Sequence, residues 1–239
     1  MRQRKAKDLE KRLERCGGYI VRTDDGSLQE YCDAQAPLYV EIGCGKGQFI
    51  IKKAASDPDG RFLAIEGQET VILRAAEKAM CISGETEWPE NVPGEERMEG
   101  VSAKLDNLKF VNFFVEHMAD FFEEGQLSGV YLNFSDPWPK ARNAKRRLTH
   151  RSKLAAYEAC AAPGALLQFK TDNDGLFAFS LDEIRSRGLL IRWGTKDLHH
   201  SPYAARNVET EYEQKFSAKG KSINCLQAVL SRKGGKNGC

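Results

Sequence analysis

Apolar residues along the chain alternate between two periods. Seven short runs, at 38–42, 61–66, 108–115, 129–134, 166–171, 189–193 and 225–230, are dense in aliphatic and aromatic side chains and read as strands. Between them, 48–55, 68–80, 149–161, 174–187 and 207–218 read as helices, several with apolar residues three and four apart. Strands alternating with helices predict an α/β chain with a mostly parallel, seven-stranded, doubly wound sheet and helices on both faces. Residues 83–103 break the rhythm with Gly, Pro and Glu and read as a surface insertion. Residues 2–15 mix cations and acids like a solvated helix, behind a basic start at Arg2, Arg4, Lys5 and Lys7. That start is either a frayed terminus or an arm that touches phosphate.

In such a sheet a ligand sits outside the carboxyl ends of the strands. Three acids, Glu66, Asp136 and Asp172, follow directly from predicted strand ends. The chain thus places its carboxylates on the edge where a ligand would bind.

Composition changes this picture little. A length of 239 residues favours a single α/β domain. The net charge of +2 is nearly neutral, so a nucleic-acid signal must rest on where the charge sits. It sits in K-A-R-N-A-K-R-R-L-T-H-R-S-K, from Lys140 to Lys153, whose Arg142, Lys145, Arg146, Arg147 and Arg151 suit an RNA backbone. The alternative is a solvated face. The 7 cysteines are odd in number and lack the spacing of a metal or redox motif, which predicts free thiols and no metal. Residues 1–15 lack the apolar core of a signal peptide, and no later run is long enough to cross a bilayer; a cytoplasmic protein is expected.

The first strand runs into Glu41-Ile42-Gly43-Cys44-Gly45-Lys46-Gly47. Glycines there let the backbone turn sharply and approach a ligand, or simply make a tight strand-to-helix turn. A dinucleotide fingerprint needs its third glycine where this chain has Gln48, which disfavours a nicotinamide dehydrogenase. The pattern E-x-G-x-G-x-G resembles the first motif of S-adenosylmethionine-dependent methyltransferases. Glu66, ending the second strand, is where such folds place an acid on the ribose hydroxyls, a vicinal diol that two acceptor oxygens suit; the alternative is an unrelated surface Glu.

The fourth strand ends in Asn133-Phe134-Ser135-Asp136-Pro137-Trp138-Pro139-Lys140. Proline pushes the preceding residue into an extended conformation and fixes its own φ, so Asp136 and Trp138 sit on a stiff loop. Stiffness suits a direct displacement, where alignment supplies much of the acceleration. Trp138 either stacks on a nucleobase or caps the core.

N-F-S-D-P-W-P-K followed by K-R-R-L-T closely resembles the bacterial tRNA (guanine-N7)-methyltransferases, which methylate guanine 46 of the variable loop. F-K-T-D-N-D at 169–174, T-E-Y-E-Q-K-F-S-A-K-G at 210–220 and the glycine loop match as well. The resemblance implies a Rossmann-like class I methyltransferase fold over 37–232; the charge pattern makes 1–36 an N-terminal basic arm and helix, and the Lys/Gly-rich 233–239 reads as a disordered tail. The resemblance also implies S-adenosyl-L-methionine as cofactor and tRNA as partner; a monomer or homodimer is expected. Carried over, Glu41, Gly43, Gly45 and Glu66 bind the cofactor, and Asp136 is the catalytic acid beside it. Lys140, Asp172 and the segment Thr210, Glu211, Tyr212, Glu213 contact the substrate. Where the family's third strand ends in an acid near the adenine, this chain has Phe114, with Glu116 two residues on. Phe114 is expected to pack on the ring and Glu116 to supply the acceptor.

Guanine N7 offers a lone pair and has no proton to remove. Asp136 is therefore expected to act by position and charge, not as a base. Two other readings stay open: methylation of another RNA base atom, and a non-catalytic RNA-binding module on a methyltransferase fold.

Overall fold

Leu38–Ile42 and Arg61–Glu66 are buried along almost their whole length, as strands covered on both faces must be. The computed structural model describes residues 7–88, 97–98 and 100–230. The basic residues Arg2, Arg4 and Lys5, part of the 83–103 insertion and the 233–239 tail lie outside the described residues. The chain divides into two compact units, 1–114 and 115–239.

The first unit runs α1 (Leu9–Arg15), β1 (Ile20–Val21), α2 (Ser27–Asp33), β2 (Leu38–Ile42), α3 (Gln48–Ser56), β3 (Arg61–Glu66), α4 (Glu69–Ile82) and β4 (Leu108–Asn112). Its strands lie in the order β1-β4-β3-β2, all parallel, with Val40 opposite Leu63 and both Ala64 and Ile20 opposite Phe110. α3 buries Phe49, Ile50, Ile51 and Ala54, and α4 buries Ile72, Leu73, Ala75, Ala76 and Ala79. Burial of each large aliphatic or Phe side chain contributes about 1.5–3 kcal/mol. Asn107 ties the unit together by donating to the carbonyls of Ala54, Asp57 and Gly60.

β1 and α2 were not anticipated. A two-residue strand has no period to read; its pairing with β4 creates it. α2 is closed from elsewhere in the unit. The buried Arg61 guanidinium donates to the carbonyls of Tyr31, Cys32, Ala34 and Ala36, satisfying groups that a helix end leaves open. The strand expected to reach Val115 ends at Asn112 instead, because its neighbour β3 ends at the paired residue Glu66.

In the second unit, β5 (Leu127–Asn133) pairs in parallel with β6 (Ala161–Thr171). β8 (Asn224–Val229) is antiparallel to β6, and β7 (Leu190–Thr195) is antiparallel to β8. The elements between are α5 (Met118–Phe121), α6 (Arg151–Cys160), α7 (Asp174–Ser186) and α8 (Glu211–Ser217), with 3-10 turns at Val115–His117, Ala141–Arg146 and Ala204–Arg206. α6 starts two residues later than expected, since Thr149 is engaged with Ser180 in a buried hydrogen bond at 2.7 Å. It also stops before Pro163-Gly164: β6 already begins at Ala161, paired with Leu127. Two ion pairs fasten α6 to α7, Arg151 to Glu183 at 2.8 Å and Arg187 to Glu158 at 2.5 Å.

α8 is shorter than the expected 207–218 because a cation holds the segment before it extended. Lys170, on β6, is fully buried, and its ammonium donates to Asn207 Oδ1 (2.6 Å), the Val208 carbonyl (2.7 Å) and Glu213 Oε2 (2.9 Å). Three donors thus meet three acceptors. Thr210 then caps α8 reciprocally with Glu213. Among the described residues, no helix is long and apolar enough to cross a membrane.

Removing one member of a buried pair leaves the other charge uncompensated. Lys170→Met is therefore expected to cost about 3–5 kcal/mol, measured as a fall in the urea midpoint at unchanged m-value.

Candidate active site

Gly43, Gly45 and Gly47 have left-handed φ of 75°, 55° and 77°, so the loop after β2 can be built only from residues that tolerate this region. The N–H groups of Gly43 and Cys44 both donate to the Ile65 carbonyl, at 2.8 and 3.1 Å. This seats the loop on the end of β3. Glu66 completes the junction: Oε2 accepts from the Gly45 N–H and Oε1 from the Gln68 N–H, each at 3.2 Å. Burial pushes the Glu66 carboxyl above the usual glutamate range, against the pull of N–H groups from Gly45, Gln68 and Gly67. Glu41, the penultimate residue of β2, is buried. The buried Cys44 thiol is pushed well above its ordinary value by burial and then by Glu41 and Glu66, so it stays neutral.

The three glycines differ in what a side chain would meet. A Cβ on Gly43 or Gly45 enters open space, whereas one on Gly47 lies 2.9 Å from Ala75 Cβ and 3.2 Å from the Phe110 ring. Gly47 therefore serves packing between α3, α4 and the sheet. Gly43 and Gly45 leave room at the strand edge.

Phe114 is 62% exposed, an unusual state for so large an apolar ring. Its ring lies directly over Gly67, where an added Cβ would sit 2.4 Å from Cε1. Gly67 carries no signal in the sequence, because only the folded chain places it under this ring. Glu116, expected to act with Phe114, lies in a 3-10 turn of the second unit and is held by Lys153 at 2.5 Å.

In the second unit, the loop after β5 holds Asp136 exposed between two non-glycine residues in the left-handed region, Phe134 at φ 51° and Trp138 at φ 40°. Aromatic residues rarely adopt this conformation, and such strain concentrates at functional sites. Phe134 is anchored by its N–H to the Lys170 carbonyl at 2.9 Å, and its ring lies 4.8 Å from that of Tyr212. Trp138 is covered by the Arg146 guanidinium, 4.7 Å from the ring centroid. Asp172 Oδ2 lies 3.4 Å from the Tyr212 hydroxyl, a long hydrogen bond, and 3.2 Å from Lys221 Nζ. The structure therefore groups Phe134, Asp172 and Tyr212, and adds Lys221. Thr210, half-buried, is the helix cap; Glu213, buried, is the partner of Lys170; Glu211 is in the first turn of α8.

The basic run divides. Lys140, Arg142 and Lys145 are exposed. Arg151 pairs with the buried Glu183, and Arg147 donates to the carbonyls of Pro137 and Trp138, both at 3.0 Å. Among the described residues, His199, Glu209 and Glu213 bring three ligand-type atoms close together. Glu213 is already bonded there to His199, Asn207 and Lys170.

Comparison with known proteins fits this arrangement. A family model described as "Putative methyltransferase" matches residues 35–226. A solved chain described as "Structure of an Antibiotic Related Methyltransferase" aligns with a TM-score of 0.59 at 16% identity, over 89% of this chain and 96% of that one. The fold is thus the α/β class I methyltransferase fold. The tRNA (guanine-N(7)-)-methyltransferase of Lacticaseibacillus casei is 42% identical over 211 residues, 87% of this chain and 89% of that protein. Its namesake from Mesoplasma florum is 38% identical over 232 residues, 95% and 97% of the two chains. The chain belongs to the tRNA (guanine-N(7)-)-methyltransferase family.

The glycine loop can be tested by stability alone. Gly47→Ala is expected to combine about 1–2 kcal/mol of left-handed strain with about 1–3 kcal/mol of overpacking. Gly45→Ala should show only the strain. Urea unfolding of the two variants checks the order.

Proposed function

We propose that the chain transfers the methyl group of S-adenosyl-L-methionine to N7 of guanine 46 in the variable loop of tRNA, acting in the cytoplasm as a monomer or homodimer. The observation that carries this reading is the similarity, over nearly the whole chain, to relatives named for guanine-N7 methylation.

The residues of the first unit fit the cofactor. Open space at Gly43 and Gly45 admits a ligand, and Glu66 presents a carboxylate to a ribose diol at the strand edge. Glu41 supports the same end, and Phe114 over Gly67 supplies an apolar face for adenine. When bound, the cofactor supplies a sulfonium methyl open to attack by a lone pair. N7 already carries that lone pair, so no side chain has to remove a proton. Asp136 holds guanine by accepting from its N–H groups and offsets the positive charge that the base acquires. Asp172, set by Tyr212 and Lys221, faces the same substrate, and Lys140, Arg142 and Lys145 meet phosphate.

The decisive assay is incubation with unmodified tRNA and methyl-labelled S-adenosylmethionine, followed by nucleoside analysis. 7-Methylguanosine at position 46 is expected; label on an exocyclic amine would redirect the reading to another base atom. Asp136→Ala should lower kcat by roughly 100-fold or more while leaving cofactor binding measurable by calorimetry. Turnover at the wild-type rate would remove Asp136 from the mechanism.

Glu66 gives a pH dependence. A ribose diol needs the ionised carboxylate, whose pKa burial raises. Cofactor affinity should therefore fall as pH drops through that raised value, by up to about tenfold per pH unit. The ligand-free protein shows the opposite sign. A raised carboxyl pKa stabilises the fold below the unfolded value, and that contribution is lost as pH rises through the folded one. Glu66→Gln should flatten both profiles.

A further inference from the structure

The basic run after Asp136 contains two adjacent arginines with different surroundings. Arg146 is exposed and lies over the Trp138 ring. Arg147 is half-buried and turned inward. Its Nε donates to the Pro137 carbonyl and its Nη2 to the Trp138 carbonyl, each at 3.0 Å. The guanidinium rests on the Phe179 ring of α7, 4.3 Å from the centroid. The backbone of Arg147 is fixed too, its N–H donating to Ala144 at 3.1 Å and its carbonyl accepting from His150 at 3.0 Å.

We propose that Arg147 is a positioning residue for methyl transfer: it clamps the two carbonyls that follow Asp136 and so holds that carboxylate in place, instead of contacting RNA phosphate. The proposal rests on the functional reading above and adds a role to it. The loop has two anchors. At one end Phe134 is held by the Lys170 carbonyl; at the other, Trp138 sits at φ 40°, a conformation its side chain opposes. Arg147 supplies the partners that hold that second end. Asp136 lies between the anchors, followed by a proline that fixes its own φ. Two carbonyls in a planar fork suit guanidinium, whose donors are rigidly spaced, and do not suit an ammonium, a point charge on a flexible stem. Two of the five guanidinium donors are committed to the loop carbonyls and one face lies on an aromatic ring, so the fork is oriented toward the loop.

The test separates loop from RNA. In Arg147→Ala, kcat for tRNA methylation should fall roughly 10- to 100-fold, the scale of an ångström-level misplacement. The KM for tRNA and the salt slope of tRNA binding should stay at their wild-type values. Lys145→Ala, by contrast, should reduce that slope by about one. Arg147→Lys should not restore kcat, and Phe179→Leu, which leaves the guanidinium in place, should show a smaller loss of the same kind. If Arg147→Ala does not fold, Arg147→Lys and Phe179→Leu carry the test. An independent readout is the fluorine NMR resonance of Trp138 in fluorotryptophan-labelled protein, assigned with Trp138→Phe. It should broaden or split in the Arg147 variants, whether or not the wild type methylates guanine. Absence of 7-methylguanosine with wild-type protein would fail the functional reading alone. A variant with unchanged kcat and fluorine resonance, or one with weakened tRNA binding and a flatter salt slope at normal kcat, would overturn the clamp.

Discussion

A single buried ammonium organises the functional edge of the second unit. Lys170 is inside the sheet, where an unpaired cation would be prohibitive, and it is tolerable because Asn207, Val208 and Glu213 take all three of its protons. Two of those bonds also act locally. The Val208 bond keeps the chain extended just before α8. The Glu213 bond fixes the carboxylate that caps that helix and accepts from His199. α8 then presents Tyr212 to Asp172 and to the Phe134 ring, and the Lys170 carbonyl holds the Phe134 N–H. Phe134, Asp172 and Tyr212 come from three distant parts of the sequence, and Lys170 holds them together through its side chain and its backbone.

The first unit solves a different problem. Its site is made by strand ends and backbone N–H groups, with few side chains. The loop after β2 rests on the Ile65 carbonyl, and Glu66 reaches back to Gly45, so loop and acid form one hydrogen-bonded junction. Three glycines in a row of alternate positions look equivalent in sequence, yet they are not. Gly43 and Gly45 leave space, and Gly47 removes a clash with Ala75 and Phe110. A helix can start tight against the sheet only because the third has no side chain.

Much of this was legible in the sequence because its cause is local. The apolar runs of β2, β3, β5 and β8, the helical periods of α3, α4 and α7, and the acids at strand ends each depend on neighbours a few residues away. What was missed depends on distant partners. β1 exists through β4, α2 ends where Arg61 closes it, and β4 stops where β3 stops. Gly67 becomes notable only under Phe114. The segment 207–218 has helical composition, but Lys170 holds back its first residues. Glu213 lay within a motif tied to substrate contact, and its burial places its chemistry inside the fold.

The basic run shows the same limit with greater consequence. Counted along the chain, residues 140–153 form one cationic stretch; in space they separate by what each cation faces. Lys153 is spent on Glu116, Arg151 on Glu183 and Arg147 on two loop carbonyls, while Arg146 lies over Trp138. Exposed charge suited to phosphate is carried by Lys140, Arg142 and Lys145. A nearly neutral protein can still hold a polyanion if its cations are placed, and here the placement has two parts. One set of charges is engaged within the fold, Arg147 and Arg146 at the loop that carries Asp136 and Arg151 and Lys153 in ion pairs, and the other lies at the surface on the residues immediately following that loop. Proximity in sequence therefore has a physical reason: the turn that exposes Lys140, Arg142 and Lys145 is the same turn that delivers Arg147 to the loop.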